Sequence, residues 1–304
     1  MSESMNLVKR EPDSGFAEPA SSGMLSSVRA MLAEWRERYD HPLVRMGLGL
    51  FLFLLLFSTL GALVYRKDPL AIQDTLLYSP PSWAAPLGTD NLGRDLLARM
   101  IHGGQATLSA GLLGSLVAML IGLLYGMTAA LGPSWMDKVL MRVLDALLAI
   151  PTLVLLIFFA AIVRLDTVGL IVLLGLVSWP GLARIIRNEA LAYRERDYVL
   201  AARQFGASTF YIARTHLLRA MLPILIVNAT FMVADIVLAL AGLSFLGLGI
   251  QPPYASWGGL LNDGAQLVII GCWWLIVFPG LAIFAVIVAM NMLGQGLLAR
   301  LEGR

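Results

Sequence analysis

The chain has 304 residues, of which 58% are hydrophobic and 14% charged, and its mean hydropathy is +0.77. No soluble domain with a polar surface tolerates that composition, so a soluble protein is excluded and a polytopic membrane protein is implied. A formal net charge of +2 gives no reason to expect a nucleic-acid partner, and the single cysteine, Cys272, excludes an intrachain disulfide.

Residues 1–23 are rich in Ser, Glu, Pro and Gly and have no apolar centre, so they read as a disordered tail without a cleavable signal peptide. From Met24 to Tyr39, Leu25, Val28, Met31, Leu32 and Trp35 share one side while Arg29, Glu34, Arg36 and Arg38 share the other, which suits a helix lying on the membrane lipid surface or an ordinary solvated helix. Residues 1–45 are therefore expected to form a cytoplasmic N-terminal tail, and 46–304 a transmembrane domain. Met46–Tyr65 is a charge-free run of the length a ~30 Å hydrocarbon core requires. Arg66 to roughly Gly104 is polar and broken by Pro80, Pro81 and Pro86. Further spans are expected over Leu108–Ala130, Ala146–Val163, Thr167–Ala183, Leu217 to about Gly249, and within Val268–Leu293, giving six in all.

Between the fourth and fifth spans lies Asp197–Pro223, DYVLAARQFGASTFYIARTHLLRAMLP. Asp197 is placed to cap a short helix on which Tyr198, Ala201, Ala202 and Phe205 share a face. Gly206 is placed as a left-handed cap residue, a conformation costing other residues roughly 1 kcal/mol or more, and Ser208 as the cap of the next helix. This spacing alone fits either a compact docking knuckle or an amphipathic loop between two spans.

Lysine and arginine fix the expected orientation. With a cytoplasmic amino terminus, seventeen of them fall inside, including Lys138, Arg142, Arg203, Arg214 and Arg300. Only Arg66, Lys67, Arg94, Arg99 and Arg164 fall outside. That asymmetry places the knuckle, about 191–223, and both termini in the cytoplasm.

AARQFG followed by Ser-Thr, Ile212, His216 and Pro223 resembles the coupling loop of ABC importer membrane subunits, Glu-Ala-Ala, three residues, Gly, then Ile and Pro. The family's glutamate position is Leu200 here. A second resemblance runs through PLGTDNLGRDLLAR (86–99), MDKVLMRVLDALLAIP (136–151), WPGLARIIR (179–187), LSFLGLGIQPPYASWGGLL (243–261) and FPGLAIF with Asn291, Gly294 and Gly296. These blocks, in this order, are similar to the peptide and nickel importer permeases, dipeptide and oligopeptide C-type. The resemblance leaves out the first 45 residues, and the family's Gly-Asp-Gly-Leu-Arg-Asp finish reads Gly294-Gln295-Gly296-Leu297-Leu298-Ala299.

The resemblance implies a six-span, all-α, type I ABC importer (MetI-like) permease fold in the cell inner membrane. It implies a homologous second permease, two cytoplasmic ATPase subunits and a periplasmic or extracytoplasmic substrate-binding protein as partners. Ala201, Ala202, Gly206, Ala207 and Ser208 are then the ATPase-coupling residues. No Gly-x-x-x-x-Gly-Lys-Ser/Thr loop is present to cradle phosphates, so no cofactor is expected in this chain, ATP and Mg being bound by the partner subunits.

Asp235, in the middle of the fifth span, carries a charge that insertion scales penalise by about 2.5–3.5 kcal/mol, so it is expected to face a translocation pathway, the seam with a partner permease, or an internal hydrogen bond. Arg142 and Asp145 are spaced to pair along one helix. Gly88, Thr89, Asp90, Gly93 and Asp95 form a turn-rich segment read as a structural cap over the helix ends. His102-Gly103-Gly104 lacks the nucleophile elbow a hydrolase needs, and His41, His102 and His216 are too scattered for a metal motif, so neither catalysis nor a metal site is expected. Di- or oligopeptide import is the expected function. Nickel or a metal chelate through the same architecture is the sister reading, and an ion-coupled secondary transporter using Asp235 is the reading from another class.

Overall fold

The computed structural model describes residues 41–163 and 165–302, and every element in it is helical. The expected surface helix at Met24–Tyr39 lies outside these residues. α1 (Pro42–Thr59) opens with Pro42 at its first turn, where a missing N–H costs nothing, and His41 Nδ1 accepts the Leu43 N–H at 3.3 Å. A one-turn helix, α2 (Gly61–Val64), continues it.

α3 (Leu96–Leu131) starts a dozen residues before the expected span and runs for 36 residues, about 54 Å at 1.5 Å per residue. The reason is local: Asp95 caps it by accepting the Ala98 N–H at 3.0 Å, and the polar residues of its first turns are buried rather than solvated. α4 (Ser134–Leu148) and α5 (Thr152–Ile162) stand where the third span, Ala146–Val163 carrying Pro151, is expected, with a 77° bend between them. Pro151 causes the break, because it removes a backbone donor and drives the residue before it out of helical geometry.

α6 (Thr167–Arg194) is capped by Asp166, which accepts the Gly169 N–H at 2.8 Å, and it continues through Pro180 well past Ala183. α7 (Asp197–Gln204) and α8 (Thr209–Ile212) form the knuckle. A π-helical turn over Ala213–Leu217 joins α8 to α9 (Leu218–Phe245). α10 (Trp257–Ala265) and α11 (Trp274–Glu302) complete the chain. The last helix begins at Trp274, inside the expected window, after Gly271 has turned the chain at φ +85°, and runs past Leu293 to Glu302. Among the described residues five helices are long and apolar enough to cross a membrane, or six if α4 and α5 count as one bent span.

Small residues bring the long helices together. A Cβ on Gly126 of α3 would lie 2.6 Å from the Ala183 carbonyl of α6, and one on Gly175 of α6 would lie 2.6 Å from Val117 Cβ of α3. Without bulk at these points the two backbones approach closely and van der Waals contact, the main force between helices in lipid, is maximised. Leu174, Ile186, Leu217, Met221 and Ile236 fill the centre of the bundle and are fully buried.

At one end of the bundle the polar 66–95 loop is locked down. Asp90 accepts the Leu92 and Arg94 N–H groups, each at 2.9 Å, the Arg94 Nε at 2.7 Å, and the Arg99 guanidinium. Burial pushes the Asp90 carboxyl up, but Arg99, the two backbone donors and Arg94 outweigh it and hold the carboxyl below its ordinary value. Asp95 accepts from Tyr65 Oη at 2.7 Å and Lys67 Nζ at 3.0 Å. The Trp274 indole donates to the Thr89 carbonyl at 3.1 Å, and the Trp257 indole to the Met100 carbonyl at 2.8 Å. The segment around Gly88 and Gly93 is thus a packed cap over the ends of α3, α10 and α11.

Candidate functional site

The knuckle sits at the opposite end and is built by short-range rules. Its first helix ends on Gly206 at φ +83°, with Gly206 N–H donating to the Arg203 carbonyl and Ala207 N–H to the Ala202 carbonyl, each at 3.0 Å. This pair of bonds satisfies two carbonyls that the helix end would leave open, and it needs a residue that tolerates the left-handed region. Ser208 Oγ then accepts the Tyr211 N–H at 3.2 Å and starts α8. Ala201, Ala202, Gly206, Ala207 and Ser208 therefore lie together at one corner. Asp197, expected as the first cap, instead occupies the first helical position after Arg196, where its charge still favours the helix dipole.

Three apolar anchors root this corner in the bundle. Val199, Ile212 and Leu217 are at most 1% exposed and join the core that contains Ile186 and Ala190. The His216 ring lies 5.8 Å from both the Tyr198 and the Tyr211 rings, linking the two short helices. At the root, Arg194 Nη1 donates to the Ala130 carbonyl at 3.0 Å, tying the end of α6 to the end of α3.

What remains outside includes large apolar side chains set among polar ones. Phe205 is 92% exposed and Phe210 74%, with Tyr198, Leu200 and Tyr211 about half exposed. Arg203 and Arg214 stand exposed beside them. A protruding aromatic tip on a rigid corner is what a helix docked into a groove of another protein presents. The face expected from sequence, Tyr198, Ala201, Ala202 and Phe205, thus points largely outward. Val199, the anchor between them, had no distinguishing signal, because one buried valine in an eight-residue helix sets no period.

Asp235 lies in α9 between the buried Ala234 and Ile236, with its own side chain on the outer surface of the chain beside the exposed Leu238. It makes no hydrogen bond or ion pair with another described residue, so the alternative of an internal hydrogen bond is not met among them. Asn228 and Gly242, seven residues either side, share its helical face. The expected Arg142–Asp145 pair does not form. Asp145 pairs instead with Arg184 of α6, and Arg187 grips Asp137 of α4 through Nε at 2.9 Å and Nη2 at 2.5 Å. Among the described residues no three His, Cys, Asp or Glu side chains gather as metal ligands would.

Solved structures share this architecture. The methionine ABC transporter MetNI in its inward-facing form superimposes with a TM-score of 0.56 at 20% identity, over 67% of this chain and 97% of that one. Curated relatives are much nearer in sequence. The dipeptide transport system permease protein DppC of Bacillus subtilis (strain 168) is 36% identical over 263 residues, 86% of this chain and 82% of its own length. The di/tripeptide transport system permease protein DppC of Pseudomonas aeruginosa (strain UCBPP-PA14) is 36% identical over 88% of this chain and 90% of its own. A putative peptide transport system permease protein of Brucella abortus biovar 1 (strain 9-941) is 39% identical over the same shares of each. Residues 105–304, which hold most of the bundle and the whole knuckle, match the family model for such components, and the chain belongs to the binding-protein-dependent transport system inner membrane component family.

Proposed function

We propose that this chain is one of two permease subunits of an ATP-driven importer of di- or oligopeptides, and that the 197–217 knuckle receives the movement of a separate cytoplasmic ATPase. The observation that carries this reading is the contrast between the buried roots of the knuckle, Val199, Ile212 and Leu217, and its bare tip, Phe205. A lever of that kind transmits force into the bundle only if something outside the chain holds the tip. The tip's apolar area would be a solubility liability with nothing to cover it.

ATP-driven closure of two ATPase subunits would move the knuckle, and through its roots the ends of α6 and α9, between two bundle arrangements. Such a switch needs only contacts that differ between the two states. A homologous second permease would complete the pathway, and an extracytoplasmic binding protein would deliver the cargo to the end closed by the 66–95 cap. The lysine and arginine asymmetry supports this orientation in the inner membrane, with the knuckle and both termini in the cytoplasm. The peptide cargoes in the names of the relatives favour peptide over nickel or a metal chelate.

The outward-facing Asp235 is the one feature that also suits an ion-coupled carrier. Uptake into sealed vesicles separates the two classes: the proposal requires accumulation that follows ATP supplied with the ATPase subunits. Accumulation that follows an imposed ion gradient without ATP would overturn it.

A further inference from the structure

We infer that α4 is a membrane-surface helix and that the groove between it and α6 binds the headgroup phosphate of an anionic phospholipid. The inference needs only the membrane-embedded bundle, and it is independent of cargo and of the knuckle's partner.

The position follows from geometry. α5 carries no charge, whereas α4 holds Asp137, Lys138, Arg142 and Asp145 within 15 residues, so α5 is the segment that enters the hydrocarbon. The 77° bend then lays α4 close to the plane of the membrane. Its depth is set by α6, where Arg184 and Arg187 come about 26 and 30 Å along the helix from Thr167, the far edge of a ~30 Å core. Trp135, Val139 and Val143, spaced by four residues, are 67%, 54% and 49% exposed and form an apolar stripe headed by an aromatic ring. An apolar stripe edged by the cations Lys138 and Arg142, each one turn from a stripe residue, is what an interfacial helix presents to lipid and headgroups.

The chemistry follows from the ion pairs. An open groove of about 450 Å³ is lined by Asp137, Lys138, Val139, Met141, Arg142, Asp145 and Arg187. Both acids in it are already taken, Asp137 by Arg187 and Asp145 by Arg184. Lys138 and Arg142 stand exposed one helical turn apart, and neither has an acidic partner among the described residues. The groove is therefore left with two uncompensated cations at headgroup depth. A phosphodiester carries the complementary charge, and its acyl chains would run along the Trp135–Val143 stripe.

Native mass spectrometry of the full-length chain in detergent tests this, with phosphatidylglycerol and phosphatidylcholine titrated separately. Wild type should hold phosphatidylglycerol roughly 30-fold more tightly than phosphatidylcholine, given the attraction expected of two surface cations. The Lys138→Gln, Arg142→Gln double variant should lose that preference. Lys138→Arg with Arg142→Lys should keep it, as should Arg203→Gln with Arg214→Gln, which removes equal charge at the same end of the bundle. An unchanged preference in the first variant would overturn the site, and so would an equal loss in the Arg203, Arg214 control. Displacement of the lipid by excess inorganic phosphate would show a free-anion site instead. Cross-linking of a cysteine placed at Val139 to the second permease in the assembled complex would show that protein, not lipid, covers the stripe.

Discussion

The backbone N–H of Ala207 donates to the carbonyl of Ala202 at 3.0 Å, closing the end of α7 over Gly206. This one bond explains why the corner takes the residues it does. Small side chains flank it, a glycine supplies its left-handed turn, and a serine starts the next helix before the chain returns to the core at Ile212.

Gly206 is required for its backbone and not for space. A Cβ there would meet nothing within 4 Å, yet φ is +83°. Gly206→Val should cost the turn about 1–2 kcal/mol, enough to shift its population roughly tenfold. Gly206→Asn, which tolerates the left-handed region, should cost much less. Peptide taken up per ATP hydrolysed in proteoliposomes should fall sharply for valine and little for asparagine, with the chain inserted normally in both.

The cap predicts an acid-sensitive loss of stability. Asp90 and Arg99 side chains are 1% and 5% exposed, and removing one partner of a buried pair leaves the other charge uncompensated, so Asp90→Asn should destabilise by about 3–5 kcal/mol. The folded carboxyl lies below its ordinary value of 3.8. Its stabilisation is therefore complete above the unfolded value and is lost as pH falls through the lower folded one. Thermal unfolding in detergent should show wild type losing stability below about pH 4, and the Asn variant lacking that part of the profile.

Asp235 has no intrachain bond to lose among the described residues, so Asp235→Asn should leave the unfolding free energy within about 0.5 kcal/mol. Uptake, or co-purification with the second permease, should nevertheless drop several-fold. Loss of uptake alone assigns the carboxylate to the pathway, and loss of co-purification to the seam. Neither loss would contradict both assignments.

The parts of this molecule that depend on neighbours in sequence could be read from it. The Gly206 turn and the Ser208 cap are set within a few residues, and charge-free runs announced the bundle. Relationships across helices could not be read. Asp145 finds Arg184 on another helix, 39 residues away, and not the adjacent Arg142. The start of α3 was hidden because Arg94 and Arg99 look like loop residues until Asp90 buries their charge. Hydropathy registers how apolar a run is but not its direction, so the third span could be read from it but its 77° bend before Pro151 could not.

Phe205 adds little to folding, since 92% of it is exposed. Phe205→Ala should leave thermal unfolding unchanged while weakening association with the ATPase subunits by about 30-fold, the scale of an aromatic hot spot.

The most direct test of the docking account places a photo-cross-linking phenylalanine analogue at Phe205, with the same analogue at the fully exposed Trp83 of the opposite loop as control. Irradiation of the assembled complex should give an adduct between position 205 and an ATPase subunit, and none from position 83. No ATPase adduct from position 205, or equal yields from both positions, would contradict the claim that this corner is where the enzyme takes hold.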